Sequence, residues 1–292
     1  MRDVRATIRI GLVLLCGLAV PFRPAMSAAS QSQASGRILL ATVVDTSGKT
    51  LVDFGVDDFL IQEAGDEREV LDVHVADYPI VVLIDDAPQS SDLGPIKSAI
   101  ARFIARVGER PVAVGTLSKP SELVASLEDA RELVLDRLAN ISATPGSPST
   151  LPAVAHAARV LQDTGSPFSA IVVVTGRAID ARVPVEGDLL PSITESGAAV
   201  HVVESQASQL DATDALGGDA VPDLLRVLAD QTHGQYTTIF TSASYGTALD
   251  RLADKLSAEL MIQYLVPAGE VGGDVRVGVR RPGSRVVGLG VK

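Results

Sequence analysis

The side chains with the most chemical potential follow directly on an apolar run. Residues 79–85 (PIVVLID) end on Asp85, and Asp86, Ala87, Pro88, Gln89, Ser90 and Ser91 come next. Two carboxylates and two hydroxyls within seven positions are hard oxygen donors, suited to a divalent cation or to the polar groups of a partner. Ser149 and Thr150, after the Pro-broken segment ATPGSP, and Arg177, after the apolar run SAIVVVTG, are the other polar groups able to join them.

Other chemistries lack their residues. His74, His156, His201 and His233 share no metal-ligand spacing. His201 lies in an apolar strand pattern and His156 in a helical one, where a structural role is the expected one. No Gly-x-Ser-x-Gly elbow offers a hydrolase nucleophile, and no Gly-x-Gly-x-x-Gly follows a strand to hold a dinucleotide. Asp45-Thr46-Ser47-Gly48 has donors of the right type but the wrong context. An extended segment, not a helix, follows it, so a turn between strands explains its Ser and Gly. Gly48-Lys49-Thr50 is no phosphate loop, because Val43 stands where its first glycine is required. The acids between Asp57 and Asp72 read as a solvated face.

Elements able to position the Asp85 group are legible from periodicity. Residues 79–85, 111–117, 169–176 and 198–204 are apolar runs of parallel-strand type. Between and after them lie amphipathic segments at 93–107, 127–141, 149–162, 221–234 and 247–260. The first sets Ile96, Ile100, Phe103, Ile104 and Val107 on one face, and the second carries Leu133, Leu135 and Leu138. Strand and helix in alternation predict an α/β fold with a doubly wound, mostly parallel sheet of Rossmann-like type. In such a sheet, ligands bind beyond the carboxyl ends of the strands, where Asp85 falls. Residues 37–77 and 261–292 instead alternate around Gly and Pro turns, which predicts a small β domain built from both ends of the chain.

The amino terminus carries Arg2, Arg5 and Arg9, an uncharged run over 10–20, and small residues at Ala25, Ser27 and Ala28. This order predicts a cleaved signal peptide over 1–27 and a periplasmic or extracellular protein. Roughly eleven apolar residues are too few for a permanent span, which takes about twenty. Cys16, the only cysteine, lies inside that run, behind Leu15 where a lipoprotein signal would place a small residue. Residues 28–36 (AASQSQASG) then form a flexible leader, 37–77 an amino-terminal β segment, 78–260 the α/β domain and 261–292 a carboxyl-terminal β segment pairing with 37–77.

The 292 residues hold 25 Lys and Arg against 36 Asp and Glu, a net charge of −11. Loss of residues 1–27 removes four arginines and one aspartate, leaving 21 against 35, or −14. A surface of that sign disfavours nucleic acid. With 3% aromatics and no Trp, stacking platforms for sugars or bases are also scarce.

Residues 79–265 resemble a von Willebrand factor A (VWA) domain. The flanks VVDTSGKTLVDFGVDDFLIQEAGDEREV and LADKLSAELMIQYLVP resemble those of an exported VWA-related family described in Acidobacteria. A metal-binding VWA domain uses D-x-S-x-S after its first strand, a later Thr or Ser, and a further Asp. This sequence keeps Asp85 but has Ala87 and Gln89 at the two serine positions. Ser149, or Thr150 in a shifted alignment, stands at the loop position, and Gly176 followed by Arg177 at the last acid. The resemblance therefore implies a degenerate site, vestigial at Asp85 and Ser149, with no metal or other cofactor expected. Its implied function is non-enzymatic protein binding through Asp85, Asp86, Gln89, Ser90, Ser91, Ser149, Thr150 and Arg177, with no membrane span in the mature chain. The alternative is adhesion dependent on Mg²⁺ or Ca²⁺, with Asp85, Asp86, Ser90, Ser149 or Asp180 regrouped around the ion. An exported hydrolase is a third reading, without a nucleophile-base pair to support it.

Overall fold

The computed structural model describes residues 35–87, 93–145, 148–176, 189–206, 223–267 and 272–291. The segments expected as signal peptide and leader lie outside them, apart from residues 35 and 36. Residues 34–292 form one compact unit.

The centre is a six-stranded sheet. Its strands are β6 (Ile80–Ile84), β7 (Val112–Thr116), β8 (Leu123–Ala125), β9 (Ala170–Thr175), β10 (Ala199–Ser205) and β11 (Tyr236–Ile239), in the order β11-β10-β9-β6-β7-β8. All neighbours are parallel except β7 and β8. The period-two geometry of a strand divides the apolar runs between two faces. Ile80, Val82, Ile84, Val172 and Val174 pack with α1 (Leu93–Arg106), α2 (Arg131–Ala139) and α6 (Ser244–Ser257). Val81, Leu83, Ile171, Val173, Val200 and Val202 pack with α3 (Thr150–Asp163), α4 (Leu189–Glu195) and α5 (Leu224–Gln231). Strands covered on both sides have no use for polar alternation, which is why their sequences are continuously aliphatic.

Two smaller sheets use both ends of the described chain. In the first, β1 (Ser35–Asp45) lies between β14 (Ser284–Val291) and β12 (Glu259–Val266), and β12 continues to β5 (Val70–Val75). A short β2 (Thr50–Leu51) adds to β1. In the second, β3 (Phe59–Glu63) lies between β13 (Val275–Val279) and β4 (Asp66–Arg68). Leu39, Ala41, Val43, Phe59, Ile61, Ile262 and Tyr264 form the core between these sheets. The alternate residues Ile38, Leu40 and Met261 belong instead to the core on the α1/α6 side of the large sheet. A single strand thus faces two cores, which fixes its register, because a one-residue slip would exchange them.

The turn at 45–49 is built as its sequence predicts. The Asp45 carboxylate accepts the amides of Ser47 (2.8 Å) and Lys49 (2.9 Å) and the Ser47 hydroxyl (2.6 Å), and Gly48 takes φ +83°. The Ser47 hydroxyl, with the Lys49 amide, holds the Asp45 carboxyl below its ordinary value. One helix face departs from expectation. On α2, Val134 and Leu138 are buried while Leu133 is 39% exposed. The helix begins at Arg131, because the Ser126 amide bonds the Asp129 carboxylate at 2.7 Å and closes a turn where the first helical turn was expected.

Candidate functional site

The ends of β6 and β9 bring Asp85 and Gly176 together. Asp85 is 2% exposed, and its Oδ1 accepts the Ala87 amide at 3.1 Å. Its Oδ2 faces the Thr175 hydroxyl and the Gly176 amide, each at 3.4 Å. Gly176 thus offers its backbone amide to Asp85. Asp86, 1% exposed, turns toward β7 and accepts from the Ser118 hydroxyl at 2.5 Å and the Ser118 amide at 3.1 Å. Its carbonyl receives the Thr144 amide at 2.9 Å, which ties the 141–145 segment to the end of β6.

Ser149 precedes α3, and its amide donates to Leu117 O at 2.7 Å, so this loop is fastened to the end of β7. Its hydroxyl makes no capping bond, and Thr150 is 6% exposed. Of the residues singled out in sequence, Asp85, Asp86, Ser149 and Thr150 meet at the carboxyl end of the sheet. Gln89, Ser90, Ser91, Arg177 and Asp180 lie outside the described residues.

Sequence reasoning missed Ser118, Thr175 and the pair Glu204 and Ser205, which end β10 at 0% and 4% exposure. Glu204 pairs in register with Thr175. Thr175, Glu204 and Ser205 share one signal, a polar residue closing an aliphatic strand, which the runs VVVT and HVVES carry. A cleft of 260 Å³ lies beside Asp86, lined in part by Thr116, Lys119, Arg137, Asn140 and Ser142.

A cation needs oxygen lone pairs that are free to turn toward it. Here Asp85 and Asp86 accept hydrogen bonds from donors of the chain itself. No group of three or more His, Cys, Asp or Glu among the described residues could hold a metal.

No family model and no curated relative matches the sequence. Among solved structures, the chain is similar to a von Willebrand factor type A protein from Catenulispora acidiphila, at 14% identity over 89% of this chain and 74% of the other (TM-score 0.48). It is similar to the VWA domain of SpRpn10, at 12% identity over 60% and 95% (0.46). A third likeness is the conserved hypothetical protein BatB from Bacteroides thetaiotaomicron, at 17% over 62% and 98% (0.44). The neighbours thus include VWA domains, and the chain has a mixed α/β fold. No described helix is long and apolar enough to cross a membrane.

Proposed function

We propose that this chain is an exported, non-enzymatic VWA-like interaction module. In this reading a doubly wound α/β domain rests on a small β domain and binds a protein through the loops at the carboxyl ends of its strands, without a metal. The observation that carries it is the internal engagement of Asp85 and Asp86. Hydrogen bonds from Ala87, Thr175, Gly176 and Ser118 tie these loop starts to neighbouring backbone and side chains. Loops fastened in that way present a preorganised surface, which lowers the ordering cost of binding. The basic, apolar, small-residue order of residues 1–27 supports export.

A photo-crosslinking residue at Ser142, exposed at the loop end, compared with one at Asp163, exposed at the far end of α3, tests the reading in the native envelope. The expected result is a defined adduct from Ser142 alone, unchanged by a chelator. An adduct lost on chelation would favour cation-dependent adhesion, the second reading, which the Thr175 hydroxyl 3.4 Å from Asp85 supports. Equal adducts from both positions would overturn the loop-end assignment.

A further inference from the structure

The opposite end of the large sheet holds a cavity of 440 Å³, at the seam with β1 and β14. Tyr78 and Ser169, on its wall, precede β6 and β9, whereas Asp85 and Gly176 follow those strands. The two sites are therefore separated by the length of the sheet. The volume lies in the ordinary range for small-molecule pockets. Phe168, Leu40 and Leu289 supply apolar wall, and Gly288 and Gly290 leave room on β14.

The polar groups on the wall are mostly donors. His201 is 2% exposed, and its Nδ1 accepts the Gln235 amide at 3.0 Å. A neutral ring with Nδ1 accepting carries its proton on Nε2. Burial, with Lys255 nearby, pushes His201 down to about 3, so the ring is neutral at neutral pH. That Nε2–H has no partner among the described residues, nor have the Ser169 hydroxyl and the Lys255 ammonium. His201 lines the cavity, so a molecule bound there can accept from that Nε2–H.

Charge gives the sign of that acceptor. Glu259 faces the cavity and accepts from the Tyr78 hydroxyl at 2.5 Å. Arg110, 3% exposed, stacks 4.3 Å from the Tyr78 ring centre and, with Lys255, acts electrostatically on Glu259. Burial raises Tyr78, which stays protonated. On the wall itself Lys255 and an ionised Glu259 balance, and Arg110, behind the Tyr78 ring, offsets Glu259 and leaves Lys255 to a ligand.

We propose that this seam cavity binds a small organic monoanion, a carboxylate on an apolar body. Its oxygens accept from His201 Nε2–H, Ser169 and Lys255, and its body lies against Phe168, Leu40 and Leu289. Nothing in this proposal depends on what the loop end binds.

Calorimetry of the full mature chain with benzoate, against uncharged benzamide, tests it, with the His201 Nε2–H resonance as a local reporter. Benzoate should saturate in the millimolar range or below and shift that resonance, with benzamide about tenfold weaker or worse, since a charged hydrogen bond is at stake. Gly290→Leu should abolish binding, because a Cβ there already lies 3.7 Å from Phe168 and a larger side chain enters the cavity. Lys255→Met, at an exposed position, should weaken benzoate about tenfold without touching benzamide, and it stands should Gly290→Leu not fold. No saturation with benzoate, equal binding of benzamide, or binding that survives Lys255→Met unchanged would overturn the proposal.

Discussion

Asp86 shows how much of the loop end is structural. At 1% exposure it accepts both donors of Ser118, so Asp86→Ala strands a half-buried amide and hydroxyl. The expected loss is about 1–3 kcal/mol, read from urea unfolding, with Asp86→Asn milder because its carbonyl still accepts. Asp85 leads to a different expectation. Its oxygens are turned to Ala87, Thr175 and Gly176, so calorimetry with millimolar Mg²⁺ should show no saturable heat. Saturable binding abolished by Asp85→Ala would contradict this. His201 gives a pH dependence. Its folded value of about 3 lies below the ordinary 6.5, so the unfolded chain takes up the proton more readily. The stability linked to it is complete above about 6.5 and is lost as pH falls toward 3, at up to roughly 1.4 kcal/mol per pH unit. His201→Gln should flatten the acid limb of stability against pH by that slope, whereas an unchanged slope would place the ring in water. Asp85 was legible in the sequence because it ends an aliphatic run. The Ser118 partner of Asp86 was not, since a hydroxyl two residues past a strand carries no mark of a bond made across 32 positions.

At the scale of elements, α1 and α6 are joined by two kinds of contact of very unequal worth. Arg102–Asp250 and Arg106–Asp254 are ion pairs on the outer face, with the arginines 60% and 47% exposed. Exposed pairs contribute about 0–1 kcal/mol. Beneath them Phe103 and Leu249 are 0% exposed. Arg102→Ala should therefore cost under about 1 kcal/mol and Phe103→Ala about 3–5, measured by thermal unfolding. The same contrast explains which elements the sequence disclosed. Runs such as PIVVLID and AIVVVT announce strands buried on both faces, and Ile96, Ile100, Phe103 and Ile104 announce the buried side of α1. The edge strands β8 and β11 did not announce themselves. LVA and YTTI are three and four residues long, lie at the sheet's margins and lack a sustained apolar run. The start of α2 was misplaced because Asp129 serves a turn that competes with the helix, a choice made by one side-chain bond and invisible to periodicity.

For the whole molecule the decisive feature is that β1 has its two long neighbours, β12 and β14, from the far end of the sequence. It pairs with β12 over Ser35↔Val266 to Thr42↔Glu259 and with β14 over Leu39↔Val291 to Asp45↔Ser284. The second small sheet repeats the arrangement, with β3 between β4 and the late strand β13. A chain ending at Leu260 would lose most of β12 and all of β13 and β14. It would also lose Ile262, Tyr264 and Val266, each at most 1% exposed, from the core shared with Leu39 and Ile61. At about 1.5–3 kcal/mol for each large buried side chain, that loss rivals the roughly 5–15 kcal/mol that stabilises a whole domain. The remaining β1, β3, β4 and β5 would form no sheet of three or more strands with a covered face, and so no stable unit in water. The central sheet keeps all six strands and both helical layers under this truncation, since α6 ends at Ser257. Hydrogen exchange should therefore find residues 37–75 unprotected in the truncated chain while β6, β9 and α1 retain slow amides. Protection of residues 37–75 without β12 to β14 would show that the amino-terminal strands hold their fold alone.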